Sequence, residues 1–358
     1  MFGDLIRFMD SFLKMGIPGY DCIIYKDGKE VFRHMNGYTS LEEKTPVTGK
    51  ERYNIYSCSK PITCTAALQL FERGAFSLSD KLSDYMPEFR KMTVKTDDGI
   101  RAAKTEITIR DLFCMTAGFS YNTNSPMLKQ CKIDTDGRCP TRKTMEYLAQ
   151  EPLLFDPGAQ WNYSLCHDVL AALVEVLSGE LFAEYVQKNI FAPLGMDHST
   201  FMLPEDELDT IAERYRFNNE TGLPENCGKD IGGFKLGDEY ASGGAGGIST
   251  VEDYIKFLEA MRIGNVILKK ETIDLMAQDH LTSDQHNTYI ISNHGYGLGV
   301  RTPVEGLSTD FGWGGAAGAY LAVDRKNNIT LYYAQHLMNS PNQTIRNQVL
   351  QYAYKELL

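Results

Sequence analysis

No block of clustered lysine or arginine occurs in this sequence, and its 36 basic residues are outnumbered by 47 acidic ones, leaving a formal charge of −11. Affinity for phosphate backbones comes from grouped cations that neutralise them, so nucleic acid is excluded as a partner. No uninterrupted apolar run approaches the length of a membrane span, so no membrane partner is expected either. The eight cysteines, at 22, 58, 64, 114, 131, 139, 166 and 227, include no CxxC pair, and Cys131 with Cys139 lacks the second pair that a structural zinc site needs. Scattered through a large chain, they read as reduced thiols. The seven histidines contain no HExxH and no close pair with metal spacing, so no metal is expected. The stretches GGAGGIS and GYGLG lack the Walker lysine and the dinucleotide-binding spacing, so no cofactor is expected. Gly-x-Ser-x-Gly, the nucleophile turn of the usual α/β hydrolases, is also missing.

What is present suffices for a substantial core: 43% of the 358 residues are hydrophobic and 11% aromatic. The opening MFGDLIRFMDSFLKMG places Phe2, Leu5, Ile6, Met9, Phe12 and Leu13 on one helical face, while Asp4, Arg7 and Asp10 interrupt any signal-peptide core. It reads as a docked surface helix, and the expected location is cytoplasmic. GYDCIIYKDGKEVFRHMNGY then predicts a hairpin around Asp27-Gly28, and residues 60 to 74 a helix stopped at Gly74. Helices and loops dominate to about residue 235, with a small hairpin predicted in MTVKTDDGIRAAKTEITI. In the last third, HGYGLGVRT, LSTDFGWGG, GAYLAVDRK and NITLYYAQHL alternate with turn residues as strands would, Asn327-Asn328 marks a hairpin, and NQTIRNQVLQYAYKELL reads as a closing helix. These patterns suggest an α/β domain built from both chain ends, residues 1–62 and 236–358. A mostly helical insertion would span 63–235, with an active site between the two.

The chemistry centres on YNIYSCSK, where a β-rich run meets an apolar helix. On a helix Ser57 and Lys60 share a face, with Cβ atoms about 5–6 Å apart. A serine is a poor nucleophile until a neighbouring base takes its proton. Lys60 can be that base as a neutral amine, a form that burial and the positive helix end both favour. The same end offers the Ser57 N–H to a developing oxyanion. Pro61 stands near the helix start, where its missing N–H costs little. An N-cap serine beside a solvated lysine is the bland alternative. WNYS, around Tyr163, and FGWGGAAG, around Trp313, likewise fit core aromatic packing and a glycine-rich turn. Cys58, between the two motif residues, reads as a small buried side chain.

Taken together, these segments resemble the serine β-lactamase-like hydrolases: class C β-lactamases, DD-peptidases and, most closely, the family VIII carboxylesterases. Ser57-Cys58-Ser59-Lys60 matches their SxxK, ITIRDLFCMTAGF and FDPGAQWNYSLCHDVLAALVEVLSG match two further segments, and IFAPLGMDHSTF and GGAGGISTVEDYIKF have counterparts. The likeness runs from about residue 18 to 338. It implies an α+β fold of the β-lactamase/DD-peptidase kind, an antiparallel sheet flanked by helices plus the inserted helical part. It also implies a serine hydrolase acting on small ester or amide substrates through a Ser57 acyl-enzyme.

Tyr163 would share the proton taken from Ser57, with Lys60 helping to ionise it. The N–H groups of Ser57 and Ala316 would form the oxyanion hole. Two departures matter. Leu165 stands where β-lactamases carry a substrate-holding amide. No Lys-Thr-Gly occurs, the Lys-Thr pairs being followed by Asp97, Glu106 and Met145. Trp313-Gly314-Gly315 occupies that strand as in the family VIII esterases, and would offer an apolar wall to neutral acyl groups. A β-lactamase or D-amino-acid peptidase is therefore the alternative within the family, and an inactive binding homologue the alternative outside it. His167 and His294 lie nearest the motifs and are candidates to line the pocket, with structural roles the commoner outcome. The natural substrate, the acyl acceptor and the oligomeric state are not legible in the sequence.

Overall fold

The computed structural model describes residues 2–229 and 234–358. A six-stranded antiparallel sheet is drawn from the two ends of the chain. Its strands are β1 (Gly19–Lys26), β2 (Lys29–Ser40), β3 (Thr45–Pro46), β4 (Phe311–Gly314), β5 (Tyr320–Asp324) and β6 (Ile329–Gln335), in the order β4-β5-β6-β1-β2-β3. The β1–β2 turn places both Asp27 and Gly28 at positive φ, 53° and 76°, the geometry that makes Asp-Gly a hairpin signal. Asn328, at φ 52°, turns β5 into β6 in the same way.

Five helices matter here: α1 (Gly3–Leu13), α2 (Ser59–Glu72), α3 (Cys166–Ser178), α4 (Val251–Ile263) and α5 (Gln348–Leu357). Because strand side chains alternate, the central strands serve two cores. Cys22, Ile24, Leu331 and Tyr333 pack with Leu5, Met9 and Phe12 of α1 and with Val349, Leu350 and Ala353 of α5. Ile23, Tyr332 and Ala334 face the larger core, which includes Tyr254 and Phe257 of α4 and Ile62, Cys64, Leu68 and Leu70 of α2. Every residue of α2 from Ser59 to Leu70 is buried, so this helix runs through the protein rather than along its surface.

The architecture is α+β. The hairpin around residues 93–102 forms as expected, and Gly179 ends α3 at φ 72°. Within residues 63–235, a second small hairpin of Tyr215–Asn218 and Leu223–Asn226 pairs with Leu337–Met338 from the C-terminal part. Two expected elements differ. HGYGLGVRT is not a strand: Tyr296 bridges Arg301 across a tight turn, and only Arg301 bridges onward to Gly312. Gly299, at φ 89°, lies so close to Cys64 that a Cβ would sit 2.3 Å from its sulfur, which dictates a glycine turn there. The last helix begins at Gln348 rather than near Asn342. The Asn342 amide is taken by side chains, accepting from Ser340 Oγ at 2.5 Å and donating to Gln335 at 2.9 Å, which holds that segment in turns.

Candidate active site

Ser57 sits in a one-turn helix, Tyr56–Cys58, that feeds directly into α2. Tyr56 adopts φ 47°, a left-handed conformation unusual for an aromatic residue, and its ring is held edge-on against Phe234. That turn leaves the Ser57 side chain at the border of a cavity of about 850 Å³. Cys58 does not line that cavity; it is fully buried, and burial pushes its thiol up to about 12. It is therefore inert as a nucleophile.

The structure brings Ser57, Lys60 and Tyr163 together. The Ser57 and Tyr163 hydroxyl oxygens are 2.5 Å apart, and Lys60 Nζ donates to Ser57 Oγ at 3.3 Å and to the Gly244 carbonyl at 2.6 Å. Lys60 is fully buried, so the amine depends on these acceptors rather than on water. Its nitrogen also lies 4.5 Å from the centre of the Tyr163 ring and 5.4 Å from that of Tyr121. The Tyr163 ring is itself clamped, stacked on Tyr121 at 5.3 Å on one side and on Trp313 at 5.9 Å on the other. Burial and the nearby Tyr163 phenol hold the Tyr121 phenol well above its ordinary range, so it stays protonated.

Across the cavity, β4 ends in Gly314 and the chain continues through Gly315 and Ala316, all lining the same space as Ser57. A Cβ on Gly315 would lie 2.6 Å from the Ile55 carbonyl, so only glycine lets this strand approach the entrance of α2. Neither the Ser57 nor the Ala316 N–H donates to a backbone carbonyl among the described residues. Two N–H groups with no backbone acceptor among the described residues thus border the cavity beside a hydroxyl that contacts an amine and a phenol. Such a set can deprotonate a nucleophile and stabilise negative charge on a carbonyl oxygen.

Other candidates fall elsewhere. Leu165 is buried at the start of α3, its N–H donating to the Ser120 carbonyl at 3.2 Å, and it does not reach the cavity. His167 is buried behind Lys60 against Cys64 Sγ (3.6 Å) and the Phe113 carbonyl (3.2 Å). Burial first, then the Lys60 charge, push it down to about 3, so it stays neutral. His294 does line the cavity, with Nδ1 3.0 Å from the Thr302 carbonyl, and burial lowers its pKa. Among the described residues no three His, Cys, Asp or Glu side chains are grouped to hold a metal.

Sequence reasoning missed three participants: Gly244, Tyr121 as a stacking partner, and Arg346. Arg346 lines the cavity from the segment before α5 and donates to the Gly315 carbonyl at 3.4 Å, so the pocket is not without positive charge. Nothing around it in the sequence distinguishes it from a surface arginine.

Comparisons with known proteins identify the family. The profile of the Beta-lactamase family matches residues 5–354. Esterase EstB of Burkholderia gladioli is 27% identical over 345 residues, covering 86% of this chain and 83% of its own. Lovastatin esterase of Penicillium rubens is 28% identical over 344 residues, 86% of each. Among solved structures, EstCE1, described as a hydrolase with promiscuous acyltransferase activity, superposes with a TM-score of 0.79 at 24% identity, covering 98% of both chains.

Proposed function

The chain belongs to the beta-lactamase family, and from that premise we propose that it is a serine hydrolase that cleaves carboxylic esters or amides through an acyl-enzyme on Ser57. The observation that carries this reading is the convergence of Ser57 Oγ with the Tyr163 hydroxyl and the Lys60 amine beside a cavity of substrate size. As Ser57 Oγ attacks the substrate carbonyl, its proton passes to the Tyr163–Lys60 pair. The oxyanion is held by the N–H groups of Ser57 and Ala316. Collapse of that intermediate breaks the bond to the alcohol or amine, which takes the proton back from Tyr163. Water, deprotonated by the same pair, then attacks the acyl group and releases the acid. Two relatives named as esterases favour ester substrates.

Incubation with p-nitrophenyl butyrate and acid quench should leave a butyryl adduct, detected by intact mass and mapped by digestion to the peptide carrying Ser57. An adduct on any other residue removes the basis of the assignment. β-Lactams are expected to be poor substrates. Trp313-Gly314-Gly315 stands where β-lactamases carry the strand lysine that receives their carboxylate. Nitrocefin kcat/KM should fall roughly 10³-fold or more below that for the butyryl ester. Comparable turnover would show that a cavity arginine, Arg301 or Arg346, substitutes for the missing cation.

A further inference from the structure

Asp168 takes no direct part in the chemistry above, yet it is a carboxylate buried within the apolar helix α3 (1% exposed), five residues after Tyr163. A buried carboxyl is costly unless its oxygens are engaged. Oδ1 accepts hydrogen bonds from Ser242 Oγ at 2.6 Å and from the Tyr240 hydroxyl at 2.8 Å. Oδ2 lies against Gly244, where a Cβ would come within 2.7 Å of it. All three neighbours belong to the segment 240–247, and that segment grips the first turn of α2. Gly247 N–H donates to Ser59 Oγ at 2.9 Å, the Gly244 carbonyl accepts from Lys60 at 2.6 Å, and the Gly243 carbonyl accepts from Thr63 at 2.7 Å. Ser242 ties the turn internally, its Oγ accepting from Ala245 N–H at 3.0 Å and its carbonyl from Gly246 N–H at 2.8 Å.

We infer that Asp168 is a positioning residue for Lys60: it anchors the Ser242–Gly247 turn so that the Gly244 carbonyl holds the amine against Ser57. Its negative charge, on the far side of that turn, stabilises the protonated amine. The inference rests on the roles assigned to Ser57 and Lys60 under the proposed function. The electrostatics are consistent with it. Burial leaves the Asp168 carboxyl above its ordinary range on balance, with the Ser242 hydrogen bond, the Lys60 charge and the Tyr240 hydrogen bond opposing it in part. The other titratable groups facing Lys60 carry no compensating charge. His167 on α3 stays neutral, Cys64 one turn along α2 is held as a thiol by burial, and Tyr121 and Tyr163 present ring faces.

Asp168→Asn keeps the shape and an acceptor for Ser242 and Tyr240 but removes the charge. It should lower kcat for p-nitrophenyl butyrate about tenfold with KM little changed, because Asp168 does not line the cavity. The acid limb of the kcat/KM profile should move down by about one pH unit, since the amine then gives up its proton more readily. Ser242→Ala keeps the charge and loosens the turn, so it should lower kcat while leaving that limb in place. A purely structural Asp168 would not move the limb, so an Asp168→Asn enzyme with wild-type kcat and a superimposable profile overturns the inference. If Asp168→Asn does not fold, Ser242→Ala decides, and an unchanged kcat there overturns it. A wild-type protein that neither turns over the ester nor takes a fluorophosphonate label on Ser57 defeats the hydrolase reading itself. An active, labelled wild type with an unaltered Asp168→Asn profile defeats only the role of Asp168.

Discussion

Ser57→Ala should reduce kcat/KM for p-nitrophenyl esters by roughly 10⁴-fold or more, leaving the melting temperature within a few degrees of wild type. The size follows from the loss of the bond-forming atom itself, and removing a serine nucleophile typically costs about as much as removing the whole catalytic group. The small stability effect follows from the local hydrogen bonds. Lys60 retains the Gly244 carbonyl, and Tyr163, which borders the cavity, can turn its hydroxyl to solvent there. The change therefore strands at most one weakly buried donor, at about 1 kcal/mol. Circular dichroism melts beside ester kinetics check both halves. Activity surviving in a folded Ser57→Ala protein would move the nucleophile to another residue, whereas loss accompanied by a collapsed melt would leave a structural role as the explanation.

The second large effect is on stability. Gly243→Ala should destabilise the protein by about 3–5 kcal/mol, lowering Tm by about 4–7 °C for a chain of this length. A Cβ at this position would lie 2.3 Å from the His167 carbonyl oxygen, 2.8 Å from Ala171 Cβ and 3.0 Å from the Thr63 methyl. The first of these is helix backbone, which cannot rotate aside. Relief requires the turn to separate from α2 and α3, and that withdraws the Gly244 carbonyl from Lys60. Ester turnover measured well below the melt should therefore fall too, although position 243 touches no substrate. A Gly243→Ala protein as stable and as active as wild type would mean that the turn has freedom to move, and that its grip on α2 does not matter to the amine.

Much of the fold is legible in local patterns. The Asp27-Gly28 and Asn327-Asn328 turns, the apolar face of α1 and the stop at Gly74 are each signalled by residues within a few positions, because turn chemistry and side-chain periodicity are local properties. Where the reading of HGYGLGVRT failed, the cause was a packing demand from Cys64 more than two hundred residues away, which no alternation of residue types reports. The late start of α5 has a similar origin: the amide of Asn342 is engaged by Gln335 and Ser340, and that competition is settled by a strand and a turn outside the helix.

The site divides along the same line. Ser57 and Lys60 are three residues apart, so their meeting is a consequence of helical geometry and could be argued from the sequence alone. Tyr163 and the segment from Trp313 to Ala316 were recognisable through resemblance to a family, not through any spacing between them. The partners that set the amine in place were not legible at all. Lys60 and Gly244 are 184 positions apart, and Asp168 and Ser242 are 74. Chain separation of that size carries no local signature, and an aspartate in an apolar helix announces only that something must satisfy it. The sequence by itself thus determined which groups can react. Tertiary structure decided which carbonyl, ring and carboxylate surround them, because periodicity says which face is buried but not what it is buried against.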